Sequence, residues 1–396
     1  MRTLFLLLIY TNLFSQQFPQ WGDLQPGKYT VGYKDTIFIK EDEKFTFYDV
    51  NENKPFYVCI WYPSNDKIGS EYLKYKNYWD FDKIVKYNKI YDSLICRYTR
   101  ILINDAICRN IKTFTNVKFD TIEKKLLNEV LSTTVNAKKD IPIIDGKLPC
   151  IIYHHGAQST PNDNNVFCEF MASQGYLVVS SNYNLPADFY DGLIGSSDVK
   201  FSFATDIKFL INQTKNCFNV DSNNIFAVGH SMGAQDFIKF DTTSTKSFKK
   251  IISLHTTLEG RSIKIANKRW PEIMSKFKHN HKKMTTPTIL FAPINLVQKD
   301  TLWPKYKAFK KNKTTPYTFV TIKYPQTHDG FITLGNLRFP YSNKYNLNDK
   351  TEIQYLQRNY EYIVLYTYDI INNSVNDKPD TFESSYSKHF KVDFKK

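Results

Sequence analysis

The chain has 396 residues, of which 42% are hydrophobic and 23% charged, a composition that excludes wholesale disorder and supports a large buried core. Its formal net charge is +14. Lys and Arg are scattered along the chain without a nucleic-acid-binding motif, so nucleic acid is not expected as a partner, whereas peripheral contact with an anionic membrane surface is compatible with the charge.

Arg2 precedes an apolar run from Leu4 to Leu13, broken only by Tyr10, Thr11 and Asn12, and Ser15 supplies a small residue for cleavage. Residues 1–16 therefore read as a secretory signal peptide, too short for the roughly 20 apolar residues of a spanning helix. The expected location is secreted or periplasmic. No Cys follows closely, so no lipoprotein anchor is expected. The six cysteines (Cys59, Cys96, Cys108, Cys150, Cys168 and Cys217) permit disulfides in an exported protein, but their spacing assigns no pairing and no zinc pattern.

Residues 18–35, with Pro19, Gly22, Pro26, Gly27 and Gly32, read as a loop. Ile37–Ile39, Phe45–Tyr48 and Phe56–Tyr62 read as strands. Across 70–139 apolar residues recur at near-helical spacing, for example Ile84, Val85, Leu94, Ile95, Ile101 and Leu102, which predicts a mainly helical insertion or cap. From Cys150 onward the pattern alternates. Strands are expected at 150–153, 176–180, 225–228, 251–254, 288–292 and 318–322, the last being the final core strand, with helices at 167–173 and 201–212. Continuous apolar strands alternating with helices predict an α/β fold around a mostly parallel sheet flanked by helices. The main domain is expected over 17–375, and 376–396 reads as a polar C-terminal tail.

The string Gly229-His230-Ser231-Met232-Gly233 follows a predicted strand and precedes a predicted helix. Gly-x-Ser-x-Gly in that setting is a nucleophile elbow, in which the tight turn lifts the Ser hydroxyl above the sheet. The glycines are required because larger side chains would crowd the turn. Ser231 is thus the expected nucleophile. Upstream, His154-His155-Gly156-Ala157 follows a strand at the place of an oxyanion loop. The backbone N–H groups of Ala157 and Met232 are the expected oxyanion donors, and the His155 side chain reads as a buried structural group.

The base must follow the serine in the chain order Ser, acid, His. His255, His279, His281 and His328 qualify by position. His328, in Thr327-His328-Asp329-Gly330 after the last predicted core strand, is the expected base. His279 and His281 lie in a Lys-rich stretch and lack nearby carboxylates for a metal site. For the acid, both Glu259 and Asp300 follow strands after the elbow, and position alone leaves the two open.

These residues resemble the α/β-hydrolase superfamily, and within it the platelet-activating-factor acetylhydrolase-like and dienelactone-hydrolase-like esterases. The resemblance rests on Trp61-Tyr62-Pro63, His155-Gly156, Gly175-Tyr176, the elbow and His328, spanning roughly 55–64 and 146–335. It implies the α/β-hydrolase fold and a serine esterase acting on a small-molecule ester or lipid-like substrate without metal or other cofactor. It also points to the strand before Glu259, which puts the preference for the acid on Glu259 over Asp300. The expected insertion over 70–139, ahead of the oxyanion strand, is longer than the family has at that point. In that family the acid is usually an Asp directly after the strand that follows the elbow, and here His255 stands in that place. The departure raises a second reading, a catalytically weakened binding protein on the same fold. A lipase or peptidase is a further alternative.

Overall fold

The computed structural model describes residues 18–47, 50–66, 71–80, 99–107, 118–157, 159–182, 203–241, 247–258, 261–271, 273–274, 286–296, 317–380 and 384–394. The expected signal peptide, Glu259, Asp300, His279, His281, Cys96 and Cys108 lie outside the described residues. Backbone contacts divide the chain into two compact units.

The first unit takes in residues 1–146, 159–194 and 332–361. Its strands are β1 (Thr30–Phe47), β2 (Val50–Ser64), β3 (Tyr72–Lys74), β4 (Thr134–Lys139) and β6 (Leu177–Ser181). They are ordered β6-β2-β1-β4-β3. β1 and β2 form a long antiparallel hairpin, from Thr30 opposite Ser64 to Phe47 opposite Val50, with a register shift between Lys40 and Lys44. β1 begins at Thr30, so the loop expected over 18–35 ends earlier, and the two strands expected near 37 and 45 are one. The polar run Lys40-Glu41-Asp42-Glu43 hid that continuity. It is carried as a local irregularity in which Glu41, Asp42 and Glu43 fall outside the register while the ladder continues on either side.

The insertion expected over 70–139 contains a helix over residues 99–107 and helix α1 (Thr121–Ser132). α1 opens on a reciprocal cap in which Asp120 accepts from Glu123 N and Glu123 accepts from Asp120 N. The segment is only partly helical, because β3 and β4 at its two ends pair with each other and β4 runs parallel to β1. Helix α2 (Asn165–Ser173) has every residue buried. Within it the Glu169 carboxylate accepts hydrogen bonds from Trp21 Nε1 (2.8 Å), Tyr78 Oη (2.9 Å), Asn165 Nδ2 (2.7 Å) and Asn136 N (3.0 Å). Burial raises the Glu169 pKa, and the four donors oppose that rise.

The second unit takes in 147–158, 195–331 and 362–396. β5 (Leu148–His154), β7 (Val220–His230), β8 (Lys250–Leu254), β9 (Thr288–Pro293) and β10 (Tyr317–Ile322) run parallel, and β11 (Phe390–Phe394) closes the edge antiparallel to β10. All of β8 and β9 is buried, as strands covered on both faces require. Helices α3 (Phe203–Cys217), α4 (Met232–Asp241) and α5 (Ile263–Arg269) are threaded between the strands, and of α6 (Lys350–Val375) residues 362–375 belong to this unit and precede β11. β11 lies within residues 376–396, expected as a polar tail, and pairs at the sheet edge beside β10, the strand expected as the final core strand. Phe390, Val392 and Phe394 alternate with Lys391 and Asp393, a period of two too short to stand out in a polar region. Phe390 is buried against the Phe291 and Tyr366 rings.

Candidate active site

The elbow is built by close approach. β7 ends at His230, α4 begins at Met232, and Ser231 alone bridges them at φ 52°. A non-glycine residue in that left-handed region costs about 1–2 kcal/mol and persists only where its surroundings enforce it. Here the enforcement is visible. A Cβ on Gly229 would lie 2.5 Å from Ala234 N, and one on Gly233 would lie 2.3 Å from His154 O. Ser231 O accepts from Gln235 N at 3.2 Å in the first turn of α4. Ser231 and Met232 are half-buried. Met232 is the first residue of α4, where an N–H has no acceptor within its own helix.

The expected oxyanion loop reaches the same point. Gly156 packs so tightly on the elbow that an added Cβ would sit 3.2 Å from Ser231 Cβ and 3.0 Å from His230 Nδ1. Ala157, the next residue, is half-buried. The His155 ring is buried, with Nδ1 2.7 Å from Gly156 O. His154 is buried as well, its Nε2 3.4 Å from the buried Asp236 carboxylate on α4.

His328 approaches from the loop after β10. That loop is fastened to the end of β9, because Asn295 Nδ2 donates to Gln326 O and Gln326 N donates to Asn295 Oδ1, both at 3.3 Å. Gln326 Nε2 also donates to Gly330 O at 2.6 Å, and Gly330 N donates to Thr327 Oγ1 at 3.0 Å. The His328 backbone O accepts from His230 Nε2 at 3.0 Å, and the two rings lie 4.6 Å apart. His328 is thereby joined to the residue next to the nucleophile.

The third partner is an imidazole. His255 directly follows β8 at φ 61°, and its Nδ1 is 2.8 Å from His328 Nδ1. The His255 ring stacks on Phe331 at 5.4 Å and 22°. Its loop is held to α4 by Gln235 Nε2, which donates to Thr256 O at 2.6 Å. The sequence singled out His255 as occupying the family's acid position but not as the neighbour of His328, since a search for a carboxylate passes over an imidazole.

Low polarity governs the electrostatics. Burial first, then the proximity of His328 and Arg261, pushes His255 down to about 3. Burial holds His230 well below its ordinary value, reinforced by His328. Burial also lowers His328, with Asp329 opposing and Arg261 assisting. These three imidazoles are therefore neutral near pH 7, the form in which one can accept a proton. Among the described residues, His230, His328 and Asp329 form a group whose candidate metal-ligating atoms lie within 4.8 Å of one another. Three such ligands could hold a divalent ion through one ring nitrogen of each imidazole and a carboxylate oxygen.

The fold thus defined is an α/β fold with a mostly parallel sheet, flanked by helices and carrying a strand-turn-helix serine. It is shared with a solved structure, a ferulic acid esterase from Streptomyces cinnamoneus, at TM-score 0.58 and 13% identity, over 94% of this chain and 98% of that one. No protein-family model and no curated protein matches the chain.

Proposed function

We propose that this chain is a serine hydrolase that cleaves carboxylic esters. The observation that carries the reading is the left-handed Ser231, held on the strand-to-helix turn by Gly156, Gly229 and Gly233 and joined to His328 through His230. In the proposed reaction His328 removes the Ser231 proton as Oγ attacks the ester carbonyl. The oxyanion is received by the N–H groups of Ala157 and Met232, and such donors are often worth about 3 kcal/mol each. The alcohol departs with the proton from His328, and water then releases the acid from the acyl-enzyme. No metal or other cofactor enters this scheme.

The likeness to a ferulic acid esterase supports ester over amide substrates. The resemblance to the platelet-activating-factor acetylhydrolase-like and dienelactone-hydrolase-like branch supports a small-molecule or lipid-like ester, and the N-terminal pattern supports export. The second reading, a weakened binding protein, is favoured by one observation, the imidazole at the family's acid position.

Labelling with a fluorophosphonate probe, together with turnover of p-nitrophenyl esters of graded acyl length, separates the two. The wild type labels and turns over, and Ser231→Ala does neither. A wild-type chain that neither labels nor hydrolyses any ester in the series establishes the binding reading.

A further inference from the structure

We propose that His255 is the positioning residue of this site, a neutral imidazole that takes over the orienting task a carboxylate performs in a Ser-His-acid triad. The proposal rests on the serine-hydrolase reading and specifies its third member.

Three observations on the second unit carry it. First, His255 stands directly after β8, the strand next to the one bearing the elbow, where the chain turns toward the base. Second, the 2.8 Å separation joins Nδ1 to Nδ1. That is the nitrogen of the base which an orienting group engages, leaving Nε2 toward the nucleophile. Third, His255 is fixed from several sides. Its ring stacks on Phe331, its loop is tied to α4 through Gln235, and its backbone adopts a conformation that His, Asn and Asp tolerate better than most residues.

Only one proton fits between two nitrogens at that distance. Burial holds both imidazoles below their ordinary value and hence neutral near pH 7, and in the proposed arrangement His255 is the acceptor and carries its own proton on Nε2. His328 is then the donor at Nδ1, and its Nε2 keeps the free lone pair needed to deprotonate Ser231. The pair fixes the tautomer of the base just as a carboxylate would.

It does not supply the charge. When His328 becomes imidazolium during attack, a dipole rather than an anion faces its Nδ1–H. The groups acting on the pair are His230 and Asp329 beside His328, and Arg261 beside both rings. Only Asp329 favours the cation, and burial opposes it. His328 accordingly stays unprotonated to lower pH than a carboxylate-backed base, which extends activity toward acid while limiting the rate.

The test compares wild type with His255→Ala, His255→Asn and His255→Asp, by pH profiles of kcat/KM and by imidazole nitrogen NMR of His328. Asn and Asp suit the left-handed backbone and each keeps an acceptor, so they guard against misfolding. His255→Ala is expected to lose about 10- to 100-fold in kcat with KM little changed. His255→Asn should restore most of that loss. His255→Asp should raise kcat above wild type and move the acidic limb of the profile, and the His328 titration midpoint, upward by about one pH unit.

An unchanged rate and acidic limb in folded His255→Ala overturns the proposal, as does a His328 that carries its proton on Nε2. A collapse of turnover in Glu259→Gln or Asp300→Asn, with His255→Ala unaffected, assigns the task to a carboxylate instead. Hydrolysis that survives Ser231→Ala overturns the serine-hydrolase reading itself, and is distinguishable because it leaves the NMR assignment of the imidazole pair intact.

Discussion

Individual contacts at the elbow give the sharpest expectations. Gly229→Ala places a methyl carbon 2.5 Å from the Ala234 backbone nitrogen, which no side-chain rotation relieves. We expect a loss of about 1–3 kcal/mol in stability, measured by denaturant melts, together with loss of fluorophosphonate labelling because Ser231 is displaced. Glu361 makes a separate prediction about acidity. Burial pushes its pKa up to about 7, while Gln357 Nε2 and Asp23 N donate to its Oε1. The folded state therefore favours the protonated form. That stabilisation is fully present below the ordinary carboxylate value of about 4.3 and is lost as pH rises through 7. Glu361→Gln, which is neutral throughout, should flatten the fall in Tm across this window; an unchanged Tm–pH curve would show that the carboxyl is already ionised there. His255 contributes with the opposite sign. Its depressed pKa means the unfolded chain takes up a proton first, so stability declines as pH falls from about 6.5 toward 3. A shallower acid limb in the Tm–pH curve of His255→Asn checks that direction.

Elements differ in how openly the sequence announced them. β5, β8, β9 and the second half of β7, Ile225–Val228, are short apolar runs, and burial on both faces is what such runs mean. The elbow was legible for the same kind of reason, since its chemistry is local and five consecutive residues specify it. β1 was obscured because its polar midsection falls outside the register, and β3 and β4 because their pairing depends on residues far apart in the chain. The His255–His328 contact belongs to that second group. His255 directly follows β8 and His328 lies in the loop after β10, and the lateral order of β8, β9 and β10 brings them together. β11 offers a test of how much a short edge contributes. Phe390→Ala removes a ring buried against Phe291, Tyr366 and Tyr386, and is expected to cost about 3–5 kcal/mol. In chains that stay folded, labelling of Ser231 should persist, because β11 borders β10 and contributes no residue to the elbow. Loss of labelling without loss of stability would contradict this.

Taken as one body, the chain carries an excess of 14 positive charges. Among the described residues no helix is long and apolar enough to cross a membrane, and the charge makes peripheral contact with an anionic surface the membrane interaction to test. Sedimentation with vesicles rich in anionic phospholipid should capture the chain at low ionic strength and release it at about 0.5 M salt, where the screening length falls to a few ångström. Retention on neutral vesicles at high salt would point instead to apolar insertion. Phe18 and Trp21 are almost fully shielded from water, and the Trp21 indole is one of the four donors on Glu169. On the proposed reading of export, a leader-removing peptidase would have little latitude: a cut on the far side of position 18 would strip an aromatic plug from its socket, and a cut past 21 would also leave an internal acid short of a donor. Sloppy trimming should show up as a population that melts early, separable by mass from chains cut upstream.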